Sequence, residues 1–325
     1  MKRQRWANGV VALVLLGSCA EAAKSRPPLE RPVLVPEPAP PRPSPLPPRP
    51  ASTGQVNPAP TWQASRIPTG AANFVLDGTL TQGGIVTGTA PGGTSILTFD
   101  GSPVPVASDG RFLVGLDRDA GATGRLVATL SDGRQVTNLV TISPRAWRIE
   151  RLNTLPKLPR PSAEFEALRP AELAEIVAAR RVDSASTGWR QTFLWPTIGR
   201  ISGLFGSQRI YKGEPGSYHS GIDIARPTGA TVLAPADGVV ILAANRSFTL
   251  EGNLLMIDHG AGLNSAFLHL SRIDVRPGQV VRRGEAIGAV GMTGRATGPH
   301  LHWSIRWRDA RLDPLLVAGP MPVGG

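Results

Sequence analysis

The chain has 325 residues, of which 41% are hydrophobic, and its 35 lysines and arginines against 24 acidic residues give a formal net charge of +11. This length predicts two globular domains with linkers, and the single cysteine excludes an intramolecular disulfide. A basic protein is attracted to anionic surfaces, but the sequence has no recognisable nucleic-acid-binding motif, so nucleic acid is not expected among its partners.

Residues 1–18 have the pattern of a signal peptide. Lys2, Arg3 and Arg5 precede an apolar run at positions 10–16. A run of this length fits the core of an export signal and is too short to cross a bilayer. The pattern therefore predicts export from the cytoplasm.

The apolar run ends at Leu16-Gly17-Ser18-Cys19, which resembles a bacterial lipobox. In such a box the cysteine becomes the lipidated first residue, so we predict a lipoprotein that contacts the membrane through lipidated Cys19. An ordinary cleaved signal followed by an incidental cysteine remains an open alternative. Ala20 stands where an aspartate would indicate retention in the inner membrane. The predicted location is therefore the periplasm, with an anchor in the outer membrane.

Residues 19–66 are predicted to contain the lipid-attachment cysteine and a disordered linker. Proline occupies 14 of the 34 positions in 27–60. This composition cannot build a packed core and favours extended polyproline conformations. Two interpretations remain open: a spacer whose length is needed to reach the cell wall, and a passive tether.

Residues 67–145 are predicted to form a small β-sandwich of the immunoglobulin-like kind. Short apolar and β-branched runs alternate there with turn signals at about ten-residue spacing, which is typical of a sandwich. The turn signals are Gly83-Gly84, Gly92-Gly93, Asp100-Gly101, Asp109-Gly110 and Asp132-Gly133. The span has no histidine or cysteine, so no metal cluster is expected in it. A spacer and a module that binds the wall or an envelope protein partner both remain open.

Residues 146–192 are predicted to form a helical connector, with the helix over 162–182. Pro170 fits a first helical position, and Leu173, Ile176 and Val177 make an apolar stripe. Such a stripe normally packs on a neighbouring domain. A second interpretation is an inhibitory element that lies over the active-site groove.

The remainder, 193–325, is predicted to be rich in strands. Short apolar runs occur at 231–234, 238–243, 254–258 and 266–270. Residues 275–281, which contain Pro277-Gly278, and residues 284–290 follow them. The whole chain is therefore expected to be mainly β, with a short helical connector.

This last region also holds a candidate metal site, formed by His219 and Asp223 together with His300 or His302. Histidine nitrogen and carboxylate oxygen are zinc ligands, and two histidines with one carboxylate leave a fourth position for the water of a hydrolytic centre. His300 and His302 would point to one face of a strand. A straight strand would place His219 and Asp223 about 13 Å apart, so we predict a bent segment in which Gly221 allows the bend.

Residues 195–308 resemble the lysostaphin-like (LytM-like) zinc endopeptidases of bacterial cell walls. The resemblance rests on a series of short motifs in the order and spacing of that family, which are Trp195-Pro196, Phe205-Gly206, Tyr218-His219-Ser220-Gly221-Ile222-Asp223, 234–240, Ile257-Asp258-His259-Gly260, His269-Leu270-Ser271 and Gly298-Pro299-His300-Leu301-His302. It implies an antiparallel β-sheet peptidase domain, duplicated-hybrid-motif-like, with the metal in a groove across the sheet.

The resemblance also implies roles for individual residues. His219, Asp223 and His302 would hold one zinc per chain, and His269 and His300 would be unliganded catalytic histidines. The implied function is hydrolysis of peptide cross-links in peptidoglycan by a metal-activated water, with D-alanyl to diaminopimelate bonds as the expected target. The alternative is a non-catalytic wall-binding lipoprotein that activates a separate amidase, but members of that kind have lost metal ligands that this sequence retains.

His259 is the histidine that these roles leave out. It lies in Asp258-His259-Gly260, which is typical of a turn between two apolar strands. We predict a structural turn residue rather than a fourth metal ligand.

Overall fold

The computed structural model describes residues 70–154, 162–244 and 246–322. The predicted signal peptide, Cys19 and the proline-rich segment lie outside these residues, which all belong to one compact unit, Trp62–Gly325. Within the described ranges, no helix is both long enough and apolar enough to span a membrane.

The N-terminal part, here called the β domain, consists of short strands joined by tight turns. The strands are β1 (Val75–Gly78), β2 (Ile85–Thr89), β3 (Thr94–Phe99), β4 (Ser102–Pro103), β5 (Arg111–Gly115), β6 (Thr123–Leu130) and β7 (Gln135–Thr141). They form two antiparallel sheets, ordered β1-β2-β5 and β4-β3-β6-β7. Alternate residues of β6 are buried, including Leu126 and Ala128, and they share a core with Phe112 of the other sheet. This period of two is that of a strand with one face in the core.

The connector is more varied than the sequence predicts. It contains β8 (Ile149–Leu152), α1 (Ala163–Arg180) and a 3-10 helix (Gly188–Arg190). The prediction that Pro170 occupies the first helical position is wrong, because Pro170 lies inside α1. The helix begins at Ala163, close to the start of the predicted range 162–182, because the side chain of Ser162 accepts a hydrogen bond from the backbone nitrogen of Phe165. This bond satisfies a free donor of the first turn.

The apolar stripe predicted for α1 is also partly wrong. Ile176 is buried as expected, but Leu173 and Val177 are 44% and 47% exposed. The buried side of the helix carries Ile176 and Ala179, which pack on Met256 and other apolar residues of the C-terminal part. Positions 176 and 179 are three residues apart and therefore share one helix face.

The C-terminal part is a set of sheets whose strand pairs are mostly antiparallel. Its elements are β9 (Arg200–Gly203), β10 (Gln208–Tyr211), β11 (Glu214–Pro215), β12 (Ile222–Ala225), β13 (Thr231–Leu233), β14 (Gly238–Ala243), β15 (Asn253–Asp258), β16 (Leu263–Leu270), β17 (Arg272–Ile273), β18 (Val280–Val281), β19 (Ala286–Ala289), β20 (His300–Trp307), β21 (Ala310–Leu312) and α2 (Pro314–Ala318). The main sheet has the order β18-β14-β15-β16-β20-β12-β9, and β21 pairs with β20. Two small sheets have the orders β13-β19-β17 and β11-β10-β8. The prediction of a mainly β protein is confirmed.

The β domain packs directly on the end of the main sheet. A Cβ atom added at Gly115 would lie 2.8 Å from the Trp307 side chain and 2.9 Å from the Leu312 side chain, so these two side chains pack directly on the glycine backbone. Arg145 forms an ion pair of 2.8 Å with the buried carboxylate of Asp313. The apolar residues of both parts belong to one buried cluster. The β domain is therefore packed against the C-terminal part rather than held away from it.

Candidate metal centre

Three side chains that the sequence predicts as ligands meet in one place. His219 Nε2 lies 3.0 Å from Asp223 Oδ1 and 3.0 Å from His302 Nδ1, and the last two atoms are 2.9 Å apart. Among the described residues, these three are the group of histidine and acidic side chains with the spacing to hold a metal ion.

The main sheet positions two of these residues, and a bent segment positions the third. Asp223 on β12 and His302 on β20 are directly paired in the antiparallel register, so their side chains lie on the same face. His219 precedes β12 in a segment without regular secondary structure, as predicted. Its Nδ1 donates to the carbonyl of Leu204, at 3.1 Å. A carbonyl oxygen only accepts, so the proton is on Nδ1 and the Nε2 lone pair faces the other two residues.

The donor set fits zinc. Zinc–ligand bonds of about 2.0–2.2 Å in a tetrahedron separate the ligand atoms by roughly 3.3 Å, close to the separations found here. Burial raises the pKa of the Asp223 carboxyl, but the contacts with His219 and His302 outweigh burial and hold that pKa well below its usual range. Burial lowers the pKa of His302, which keeps this imidazole neutral, as metal ligation requires.

Two glycines provide the space that these side chains occupy. A Cβ atom at Gly203 would lie 2.3 Å from Asp223 Oδ2, and one at Gly221 would lie 2.7 Å from His302 Nε2. The prediction that Gly221 is needed to allow a bend requires a correction, since Gly221 does not adopt a positive φ. Its role is steric. The sequence contains no signal for this role, because it depends on which strand lies opposite.

We expect Gly221→Ala to disturb the centre. The added methyl group would lie 2.4 Å from the Trp303 carbonyl oxygen as well as close to His302, so the ring of His302 must move. The zinc affinity, measured by competition with a chelator, should fall by about 10- to 100-fold. Gly298→Ala is the matched control, because a methyl group there meets nothing within 4 Å. Equal affinities of the two variants would contradict the steric role.

The two predicted catalytic histidines lie beside this group. His269 Nδ1 donates to the Thr293 carbonyl at 2.8 Å, and His300 Nδ1 donates to the Gly298 carbonyl at 2.8 Å. Both Nε2 atoms are therefore free to accept a proton. His300 Nε2 is 3.8 Å from Asp223 Oδ1, and the rings of His269 and His300 have centroids 4.8 Å apart. The carbonyls that orient them could not be found by motif, because every residue has one.

His269 has an unusual backbone conformation. Its φ is +63°, in the left-handed region that side chains other than glycine rarely adopt. Its backbone nitrogen donates to the Glu251 carbonyl at 2.8 Å, at a point where the β15–β16 register shifts. Such strain costs roughly 1–3 kcal/mol and is concentrated at functional sites. Burial, together with the nearby His300 and His302, lowers the pKa of His269 to about 4, so this ring is neutral at pH 7.

His259 lies outside the centre, and the fold uses it as a buried structural residue. It is 0% exposed, and its ring packs edge-on against Phe193 at 4.9 Å. Its Nδ1 donates to the Asp237 carbonyl, and its Nε2 lies 2.9 Å from the Ser265 hydroxyl. Both ring nitrogens are thus occupied, which agrees with the prediction of a structural residue. Burial lowers the pKa of His259 to about 4.

This lowered pKa predicts a loss of stability in acid. In the window between pH 6.5 and 4 the unfolded chain binds a proton at His259 that the folded chain does not, so the free energy of unfolding falls as the pH falls. Between pH 7 and 5 the loss from this residue should be about 2 kcal/mol. Urea unfolding of the metal-free protein and of His259→Gln at both pH values measures it. The same pH dependence in both proteins would contradict the assignment.

Comparisons with known proteins agree with this arrangement. Residues 217–314 match the family described as Peptidase family M23. Two curated relatives are the peptidoglycan DD-endopeptidase ShyA of Vibrio cholerae, 39% identical over 123 residues, and the DD-carboxypeptidase/endopeptidase Mpg of Neisseria meningitidis, 42% identical over 123 residues. Each alignment covers 38% of this chain and 28% of the relative. The chain thus spans little more than a quarter of the length of these relatives.

A solved structure extends the similarity beyond that segment. A peptidase M23 candidate from Pseudomonas aeruginosa is 31% identical, with a TM-score of 0.56, over 74% of this chain and 96% of the other. The chain belongs to peptidase family M23. Because the structural match covers far more than residues 217–314, the M23 similarity includes residues that precede the family segment. The predicted resemblance to lysostaphin-like enzymes is confirmed.

Proposed function

We propose that this M23 protein is a zinc-dependent endopeptidase that hydrolyses peptide cross-links of peptidoglycan. The observation that carries the proposal is the meeting of His219 Nε2, Asp223 Oδ1 and His302 Nδ1 within 3.0 Å of one another. Zinc held by these atoms would supply a Lewis acid and lower the pKa of a water molecule to near 7. The intact ligand set favours the enzyme over a non-catalytic activator of an amidase.

The catalytic roles fall to His269 and His300. The carbonyls of Thr293 and Gly298 keep the proton of each ring on Nδ1, so each Nε2 enters the reaction as a proton acceptor. One Nε2 accepts a proton from the attacking water. The resulting imidazolium returns that proton to the amine that leaves when the peptide bond breaks. The other ring would bind the developing oxyanion after its Nε2 has taken up a second proton from solvent.

The substrate is proposed from the relatives and the residues together. The curated relatives are named as DD-endopeptidases, which supports D-alanyl to diaminopimelate cross-links as the bonds that are cut. The proposed location is the periplasm, with attachment to the outer membrane through lipidated Cys19. Residues 1–20 support this location through their charge, the short apolar run and the lipobox-like end.

Digestion of purified peptidoglycan tests the proposal. Sacculi are incubated with the protein as purified, after removal of metal by a chelator, and after zinc has been added back. Mass analysis of the released fragments should show cleavage of the cross-link peptide in the first and third samples and none in the second. Equal fragment release in all three samples would refute a zinc-dependent mechanism. Fragments from cleavage of the glycan strand, or of the amide bond that joins the peptide to the glycan, would refute the proposed cleavage site.

A further inference from the structure

The three proposed ligands differ in how firmly the main sheet holds them. Asp223 and His302 lie on directly paired strands, so the backbone hydrogen bonds of β12 and β20 set their separation. His219 has no such partner, because it lies in the irregular segment before β12. Ligand atoms must stay within a few tenths of an ångström of their positions for zinc to bind tightly. Contacts from residues outside the main sheet must therefore hold His219 in position.

The segment around His219 is fastened to the turn that follows β9. Gly206 donates from its backbone nitrogen to the His219 carbonyl at 2.9 Å, and His219 donates from its backbone nitrogen to the Ser207 carbonyl at 2.8 Å. The His219 ring donates to the Leu204 carbonyl. Residues 204–207 thus hold both the backbone and the ring of His219, and any displacement of this turn moves the ligand.

Arg118 of the β domain is hydrogen-bonded to that turn. Arg118, in the loop between β5 and β6, is only 6% exposed. Its Nε and Nη2 both donate to the Gly206 carbonyl, at 3.2 and 3.0 Å, and Nη2 also reaches Gln208 Oε1 at 3.2 Å. Because two nitrogens of one guanidinium donate to the same oxygen, the direction of the contact is fixed as well as its distance.

The same guanidinium also packs on the residue beside the ligand. Its central carbon lies 4.5 Å from the ring centroid of Tyr218 and 5.2 Å from that of Trp147. Cation–π contacts at these distances contribute most where the groups are shielded from water. The carboxylate of Asp119 forms an ion pair with Nη1 of Arg118, which offsets the positive charge of the arginine. Arg118 therefore contacts the turn at Gly206 and the residue directly before His219.

We infer that Arg118 is a positioning residue for His219, so that the β domain forms part of the support of the metal centre. The inference rests on the proposed role of His219 as a zinc ligand. It assigns the β domain a role that neither a spacer nor a binding module would have, because neither requires a buried contact with the loop that carries a ligand. Substitution of a residue that orients the ligands of a metal typically lowers the affinity of the protein for that metal by about 10- to 100-fold.

The test uses the full chain and three substitutions. Arg118→Met removes the guanidinium and keeps an unbranched apolar side chain, and Arg118→Lys keeps the charge but loses the paired donors of the guanidinium. Arg190→Met is the matched control. Arg190 also joins the two parts of the protein through a two-pronged ion pair, with Asp109 of the β domain. Its other side-chain contact within the described ranges is with the ring of Trp189, so it does not bind the turn that holds His219.

Two measurements separate positioning from general docking. Zinc affinity is measured by chelator competition, and the visible spectrum of the cobalt-substituted protein reports the geometry of the ligands. Arg118→Met should weaken zinc binding by about 10- to 100-fold and change the cobalt spectrum, with Arg118→Lys intermediate. Arg190→Met should lower the melting temperature but leave affinity and spectrum as in the wild type.

The outcomes are distinguishable. Wild-type affinity and spectrum in Arg118→Met, or an equal loss in Arg190→Met, would overturn the inference. If Arg118→Met does not fold, Arg118→Lys decides by the same criteria. A wild-type protein that binds no zinc would instead refute the proposed function.

Discussion

Replacing Asp223 by alanine should abolish both metal binding and peptidoglycan cleavage. The Oδ1 atom of Asp223 is the point at which both imidazoles converge, 3.0 Å from His219 Nε2 and 2.9 Å from His302 Nδ1. Its removal leaves two neutral nitrogens and no negative charge to balance the metal. We expect the zinc content of the purified protein to fall to background and the rate of cleavage to fall by roughly 10³-fold or more.

A second carboxylate of the same domain provides the control for this variant. Asp274 is paired with Arg272 at the surface and belongs to no metal group among the described residues. Asp274→Ala should therefore keep its zinc and its activity, because surface ion pairs contribute little to stability. Full zinc content in Asp223→Ala, measured by elemental analysis after dialysis, would exclude Asp223 as a ligand.

The second large effect is expected for the two histidines that hold no metal. His269→Ala and His300→Ala should bind zinc normally but lower kcat by about 10²- to 10⁴-fold, the usual contribution of a group that transfers a proton. The reason is geometric: backbone carbonyls hold the Nδ1 protons of both rings, so each Nε2 keeps a lone pair, and both rings lie beside the centre. Zinc content and turnover, measured on the same preparations, test this.

The comparison with His302→Ala makes this test sharp. That variant should lose zinc and activity together, whereas the two catalytic variants should lose activity alone. His259→Gln should lose neither at pH 7, because His259 hydrogen-bonds Asp237 and Ser265 away from the centre. Loss of zinc in His269→Ala would instead make His269 a ligand.

Local patterns predicted much of the secondary structure. The apolar run at 238–243 is the strand β14 with the same bounds, and the run at 254–258 differs from β15 by one residue. Apolar residues and nearby turn signals act over a few positions, so the sequence shows them directly. The two-residue strands β11 and β18 have too little pattern to be recognised in this way.

The two wrong predictions for α1 arose because contacts with the rest of the fold outweighed the local signals. Proline favours the first helical turn, which suggested a first helical position for Pro170 although the predicted helix covers 162–182. A capping serine and burial of Ile176 stabilise a helix that contains the proline. Leu173 and Val177 fit an apolar stripe as well as Ile176 and Ala179 do. Only the position of β15 and β16 beneath the helix decides which side is buried.

For the candidate centre, the donor groups and their order along the chain follow from the sequence alone, which contains a histidine, a carboxylate and a His-x-His pair. The tertiary structure decided that His219 and His302, 83 positions apart, face each other at 3.0 Å, through the pairing of β12 with β20. Only the tertiary contacts show that Gly203 and Gly221 leave room for the ligands. They also show that Arg118 is hydrogen-bonded to the turn beside His219. Those contacts join residues distant in the chain, and no local pattern encodes which distant residue will lie opposite.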